Sequence, residues 1–136
     1  MDASAPKKKI AERTILLVED DRDIAESIAD LLQEHGISAQ FAANGHHAVQ
    51  YLQDAIQLPR LILLDLMMPG MGGAEFRRLQ LSRPEWASIS TLIMSADPSV
   101  SDPGSNKRVP ADGYLPKPIN ADSVLKAVLP YFASSK

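Results

Sequence analysis

Short aliphatic runs that break off at a charged or hydroxyl residue recur along this chain, and between them lie stretches whose apolar residues fall at helical spacing. Thr14-Ile15-Leu16-Leu17-Val18 stops at Glu19-Asp20-Asp21, and Leu61-Ile62-Leu63-Leu64 stops at Asp65. Apolar runs without alternation are what strands covered on both faces require. Such strands belong to parallel sheets, in which every crossover needs a connecting helix.

The intervening segments supply those helices. Ile24, Ile28, Leu31 and Leu32 recur at helical spacing, and Gly36 supplies a stop. Ile37 to Phe41 reads as a second strand. Asn44-Gly45 then opens a helix carrying Ala48, Val49, Leu52, Ala55 and Ile56, which Pro59 ends. The stretch Met67 to Gly73 is a loop by its glycines and proline, and Ala74 to Leu81 is a helix with Phe76 and Leu79 inward, closed by Pro84. Ser90 to Met94 reads as a fourth strand ending in Ser95, and Gly113 to Leu115 as a fifth ending at Pro116-Lys117-Pro118. Asn120 is the N-cap of a last helix bearing Val124, Leu125, Val128 and Leu129, which Pro130 ends or kinks. The pattern predicts a small doubly wound α/β domain with a five-stranded parallel sheet and helices on both faces. It spans residues 13–132, between a flexible tail over 1–12 and a short tail over 133–136.

A chain of 136 residues fits one domain and is too short for two of ordinary size. The net charge of -3 offers no general attraction to nucleic acid or anionic lipid. The Lys7-Lys8-Lys9 cluster reads as a solvated, solubilising stretch. The absence of cysteine excludes disulfides, thiolate metal sites and cysteine nucleophiles. No apolar run approaches the roughly 20 residues needed to cross a bilayer, and Met1 to Arg13 has no hydrophobic middle of a signal peptide. The chain is expected to be cytoplasmic.

In doubly wound sheets the ligand site lies beyond the carboxyl ends of the strands. The residues there are Glu19 and Asp20 after the first strand, Asp65 after the third, Ser95 after the fourth and Lys117 after the fifth. If the first and third strands are neighbours, three carboxylates share a small volume, and a divalent cation or lysine must compensate them. Oxygen donors without histidine or sulfur suit Mg2+. A carboxylate, a lysine, a hydroxyl and a divalent ion together suit phosphoryl transfer. Asp20 would ligate the metal directly, Glu19 through water or as a second ligand, and the backbone carbonyl of Met67 would complete the set. Asp65 would ligate with one oxygen and attack with the other, and Lys117 and Ser95 would hold the transferred group. Each residue alone reads equally well as a turn, cap or exposed side chain; their placement at the ends of four strands is what points to a site. His46-His47 are adjacent on a helix and point apart, so they do not form a shared metal site.

The runs Ile15-Leu16-Leu17-Val18-Glu19-Asp20-Asp21, Leu63-Leu64-Asp65-Leu66-Met67-Met68-Pro69-Gly70-Met71-Gly72-Gly73, Met94-Ser95-Ala96 and Gly113-Tyr114-Leu115-Pro116-Lys117-Pro118 resemble the motifs of response regulator receiver domains, of the stand-alone chemotaxis type. The resemblance runs from about Arg13 to Phe132. It implies a flavodoxin-like strand order 2-1-3-4-5. It also implies phosphoryl transfer from a histidine kinase or histidine phosphotransfer protein to Asp65, and a cis peptide at Lys117-Pro118. By the same resemblance Ser95 and Tyr114 form a switch pair acting on an unknown protein target, and the chain is a monomer or weak dimer and a signalling phosphoacceptor rather than an enzyme. Two alternatives are a pseudo-receiver that docks without phosphate and a Mg2+-dependent phosphatase; the latter would need a second acid where Met67 stands.

The chain departs from the family between Ser95 and Gly113. Ala96 to Pro110 contains Pro98, Pro103, Gly104 and Pro110, with only Val100 and Val109 as apolar anchors. An interior proline costs about 3 kcal/mol and a glycine about 1 relative to alanine. The helix that the family carries there is expected to be short, displaced or mobile.

Overall fold

The computed structural model describes residues 8–68 and 70–133; the tail residues 1–7 and 134–136 and the loop residue Pro69 lie outside the described residues. Five strands, β1 (Lys9–Val18), β2 (Ser38–Ala42), β3 (Gln57–Asp65), β4 (Ser90–Ser95) and β5 (Gly113–Pro116), form one sheet in the order β2-β1-β3-β4-β5. All four pairings are parallel. The helices are α1 (Arg22–Gln33), α2 (Gly45–Asp54), α3 (Gly73–Ser82), α4 (Pro84–Ala87) and α5 (Ala121–Val128). The order reverses between β1 and β3, so a crevice opens beyond the ends of those two strands.

The central strands are apolar throughout because both sheet faces are covered. Leu61 to Leu64 of β3 are fully buried, and alternate residues serve opposite cores. Ile15, Leu17, Leu61 and Leu63 pack with Ile28 and Leu32 of α1 and Val124 and Val128 of α5. Leu16, Val18, Ile62 and Leu64 pack with Leu52 of α2, Phe76 of α3 and Trp86 of α4. Burying each such side chain stabilises the fold by about 1.5–3 kcal/mol. α1 ends at Gln33, and the turn that stops it closes at Gly36, as the sequence predicts, with a φ of 75° that is costly for any residue with a Cβ. Asn120 caps α5, its side chain accepting from the Ser123 amide while the Ser123 hydroxyl accepts from Asn120 N–H.

Several expectations need correction. The N-terminal tail does not reach residue 12: β1 starts at Lys9, and Lys9, Ile10 and Ala11 pair with Gln57, Leu58 and Pro59. Pro59 does not end α2, which stops at Asp54; it lies within β3. Having no N–H, it sits beside a register shift in which Glu12, Arg13 and Thr14 of β1 face only Arg60 of β3. Pro84 closes α3 as expected, α3 stopping at Ser82 with Arg83 extended before the proline, but it also begins the unexpected α4, at the position where proline's missing donor is harmless. Ile56, expected on or near one face of the second helix, lies past α2 and is 89 % exposed.

Between β4 and β5 the expected irregularity is present. One 3₁₀ turn, Pro98–Ser101, is followed by non-helical chain to β5. A second 3₁₀ turn, Leu129–Phe132, follows α5 and includes Pro130. Among the described residues no helix is long and apolar enough to cross a membrane.

A polar network is buried between α3 and β4. Arg77, 5 % exposed, donates from Nε to the Pro110 carbonyl (2.8 Å) and from Nη1 to Gln80 Oε1 (2.8 Å) and Thr91 Oγ1 (3.0 Å). Gln80 Nε2 in turn donates to the carbonyls of Trp86 and Ile89. Burial pulls the Arg77 pKa down, and the Asp112 charge opposes that effect. Arg77→Ala would orphan these buried acceptors and is expected to cost about 2–4 kcal/mol. Arg78→Ala, at an exposed position, should stay within about 0.5 kcal/mol. Urea unfolding of both variants measures the difference, and equal midpoints would contradict it.

Candidate functional site

Strand pairing decides which side chains meet. Val18 pairs with Leu64 across β1 and β3, so Glu19 and Asp65, each one residue further, leave the sheet side by side. Asp65 pairs with Met94 of β4, which puts Ser95 one residue beyond it. Ser95 pairs with Pro116 of β5, and its carbonyl accepts from the Lys117 amide at 3.0 Å. The register thus delivers Glu19, Asp65, Ser95 and Lys117 to one end of the sheet.

Asp65 is 1 % exposed. Its Oδ1 accepts from Lys117 Nζ at 2.8 Å and from the Met67 amide at 3.1 Å. A buried carboxylate needs such partners, since leaving it unpaired in a region of low dielectric is strongly unfavourable. The peptide between Lys117 and Pro118 is cis, as the resemblance implied. Met67 itself is exposed, and its amide fixes the loop against Asp65.

Carboxylate oxygens of Glu19, Asp20 and Asp65 all lie within 4.8 Å of one another. Asp20 is exposed, whereas Glu19 is buried and its Oε2 accepts from the Asp21 amide at 3.0 Å. Burial pushes the Glu19 pKa from 4.5 up to about 7; the Asp65 charge adds to the rise, and the Asp21 amide and Lys117 oppose it. A cation among three oxygens this close would relieve their repulsion. The donor set, all oxygen with a single exposed acid, fits a hard divalent ion.

Two contributors were not assigned from sequence. Asp21 caps α1, accepting from Ile24 N–H, while its own amide holds Glu19. At Gly73, a Cβ would come within 2.6 Å of Leu66 Cα and closer still to the Asp65 carbonyl oxygen, so only glycine lets α3 start against the acid's backbone. The Asp-then-helix and double-glycine patterns carry both signals. Ser95 is buried, with Oγ accepting from the Asp97 amide at 3.0 Å. Tyr114 is half-buried, its hydroxyl donating to the Val109 carbonyl at 2.7 Å. His46 and His47 are exposed at the start of α2 and are not among the clustered acids.

Beside the acids, a groove of about 690 Å³ runs between α1 and the start of α5. Ile24, Ile28, Ile119 and Val124 give it apolar walls, and Asp23 and Glu34 are among its acidic residues. Ile24, one of the helically spaced apolar residues of α1, is 39 % exposed there.

The family model for the response regulator receiver domain matches residues 15–129. The alkaline phosphatase synthesis transcriptional regulatory protein SphR of Synechococcus elongatus is 33 % identical over 111 residues, covering 76 % of this chain and 42 % of that protein. The response regulator MprA of Mycolicibacterium vanbaalenii is 34 % identical over 111 residues, covering 82 % of this chain and 46 % of its own length. The chain therefore spans less than half the length of these relatives. Among solved structures, the chemotaxis response regulator CheY4 of Vibrio cholerae superposes with a TM-score of 0.75 at 28 % identity, over 87 % of this chain and 97 % of that one. The chain belongs to the response regulator receiver domain family, and so to two-component signalling.

The folded chain keeps a proton on Glu19 up to about pH 7, whereas an unfolded glutamate releases it near 4.5. The folded form thus binds more protons over that interval, and this group's contribution to stability falls as the pH rises through it. Glu19→Gln is expected to raise the metal-free Tm at about pH 8 by a few degrees and to flatten that part of the pH dependence. Thermal unfolding of both chains in EDTA at about pH 5 and about pH 8 measures both effects; a Glu19→Gln Tm no higher than the native chain's at about pH 8 would contradict the assignment.

Proposed function

We propose that this receiver domain takes a phosphoryl group from a phosphohistidine donor onto Asp65, with Mg2+, and thereby switches a surface read by another protein. The observation that carries the proposal is the buried Asp65 carboxylate, paired with Lys117 at 2.8 Å and clustered with the Glu19 and Asp20 oxygens. Structural ion pairs rarely collect three acids and a lysine from three strand ends beside an open groove.

The free oxygen of Asp65 attacks phosphorus, forming a P–O bond as the P–N bond to the donor imidazole breaks and its electron pair returns to nitrogen. Mg2+ held by Glu19, Asp20, Asp65 and the Met67 carbonyl would supply positive charge for the equatorial phosphoryl oxygens. Lys117, already on Oδ1, swings to a transferred oxygen and keeps its charge compensated. The Ser95 hydroxyl has its proton available, because in the resting site it only accepts from Asp97. The groove between α1 and α5 ends at Glu19 and Lys117, which would let a donor protein seat its histidine beside Asp65. The domain acts as a signalling phosphoacceptor that assists its own phosphorylation and dephosphorylation. The place of a second catalytic acid, which an aspartyl phosphatase would use, is held by Met67.

Intact mass after incubation with acetyl phosphate and Mg2+ tests the proposal. The native chain should gain one phosphoryl adduct, and Asp65→Asn, or the native chain in EDTA, none. Lys117→Ala should slow adduct formation about 100-fold, as expected for losing one positioned charge in a buried site. An adduct on Asp65→Asn at the native rate would sink the assignment.

A further inference from the structure

The family model begins to match at residue 15, yet β1 starts at Lys9 and runs on beside the first residues of β3. The neighbouring strands do not follow. β2 pairs with β1 only from Thr14, and β4 with β3 only from Leu61. The projecting ribbon pairs Lys9, Ile10 and Ala11 with Gln57, Leu58 and Pro59, and among the described residues no strand lies against its outer edge on the β1 side. Two large apolar side chains stand exposed there, Ile10 at 41 % and Ile56, next to Gln57, at 89 %. An unpaired strand edge flanked by exposed isoleucines is a template for another strand.

Pro59 determines which groups the edge offers. Successive residues of a strand aim their N–H and C=O groups alternately to its two sides. Pro59 has no N–H to give the Ile10 carbonyl, so the bonds of this stretch to β3 fall to Lys9 and Ala11, and the N–H and C=O of Ile10 face the open side. The Ile10 side chain lines a recess of about 410 Å³ together with Leu58, Pro84 and Ile89. Lys8 and Arg60 line the same recess, and Arg60 holds the Glu12 carboxylate at 3.5 Å, so Lys8, Ile10 and Glu12 share one face of the ribbon. Lys8 Nζ donates to the carbonyls of Leu52 and Gln53, 3.0 Å each, which uses two of its three protons.

We infer that this ribbon is a self-association edge, at which residues 8–12 of a second copy of the chain pair antiparallel with the same residues of the first. Directly opposed residues in an antiparallel pair either both bond across the gap or both do not. Ile10 therefore meets Ile10 of the second copy on the twofold axis, exchanging two backbone hydrogen bonds and packing isoleucine on isoleucine. That register sets Lys8 opposite Glu12 at both ends of the contact, so the edge is complementary in charge to itself. The contact is isologous and closed. It is also short, well below the roughly 1,200 Å² of a tight complex, which makes the dimer a weak one. The ribbon lies at the end of the sheet opposite Asp65, so the phosphoacceptor site stays open in both copies, and the inference stands independently of that site's chemistry.

Sedimentation velocity of the full chain over a concentration series tests this. The native chain should pass from monomer to dimer near about 0.1 mM. Lys8→Glu and Glu12→Lys each set like charges opposite one another at both ends, and each should weaken association about tenfold. Mixed in equal amounts, the two variants should recover it as a heterodimer, since each then meets the opposite charge at both positions; a role of Lys8 or Glu12 in folding alone would give no such recovery. Ile10→Pro removes the N–H that each copy lends the other and leaves the ladder to β3 intact, so it should abolish the dimer with an unchanged circular dichroism spectrum. A native chain that stays monomeric up to about 1 mM would overturn the inference. A mixture no more associated than its two components, or association of Ile10→Pro at native strength, would do the same.

Discussion

The pair between Asp65 and Lys117 joins the ends of β3 and β5 across β4, and the rest of the site is arranged around the charge it controls. Asp65 is buried at the end of a strand covered on both faces, so its carboxylate must be compensated. Lys117 reaches it because Ser95, in the strand between, holds the Lys117 backbone through its carbonyl. Hydrophobic burial on both faces of the sheet sets the register, and the register sets the distance between charges. Function and fold meet in that one constraint.

The acids from β1 add the opposing force. Glu19 is buried beside Asp65, and burial first, with the Asp65 charge adding to it, raises its pKa. A domain optimised only for stability would not keep it. The crowding makes sense where a divalent ion and the oxygens of a phosphoryl group are to be accommodated in turn.

Much of this was legible in the chain itself. Aliphatic runs that stop at Glu19, Asp65 and Ser95 give both the strands and the candidate site, because a strand buried on two faces has no polar residue until it emerges. Gly36 and Asn120 mark their helix boundaries through local chemistry alone. Long-range partners left weaker traces. Nothing local distinguishes buried Arg77 from exposed Arg78, since burial depends on Pro110 and Thr91 arriving from elsewhere. Lys9 to Glu12 looks like tail because an exposed first turn of strand needs no apolar pattern, only the backbone of Gln57 to Pro59 beside it. Pro59 was misread and the helix that Pro84 starts was missed for the same reason: a proline marks a missing donor, and whether that ends a helix, starts one or sits at a strand irregularity depends on the neighbours.

The central claim is that acids from β1 and β3 converge on one cation position at the strand ends, beside Lys117. Titrating the nitrogen-labelled chain with Mn2+, whose unpaired electrons broaden nearby amide signals, tests that directly. The account predicts that Glu19 to Asp21 and Asp65 to Met67 broaden first, that Lys117 follows, and that excess Mg2+ restores them all. Broadening centred elsewhere, for instance on His46 and His47, with the Asp65 amide untouched, would contradict it.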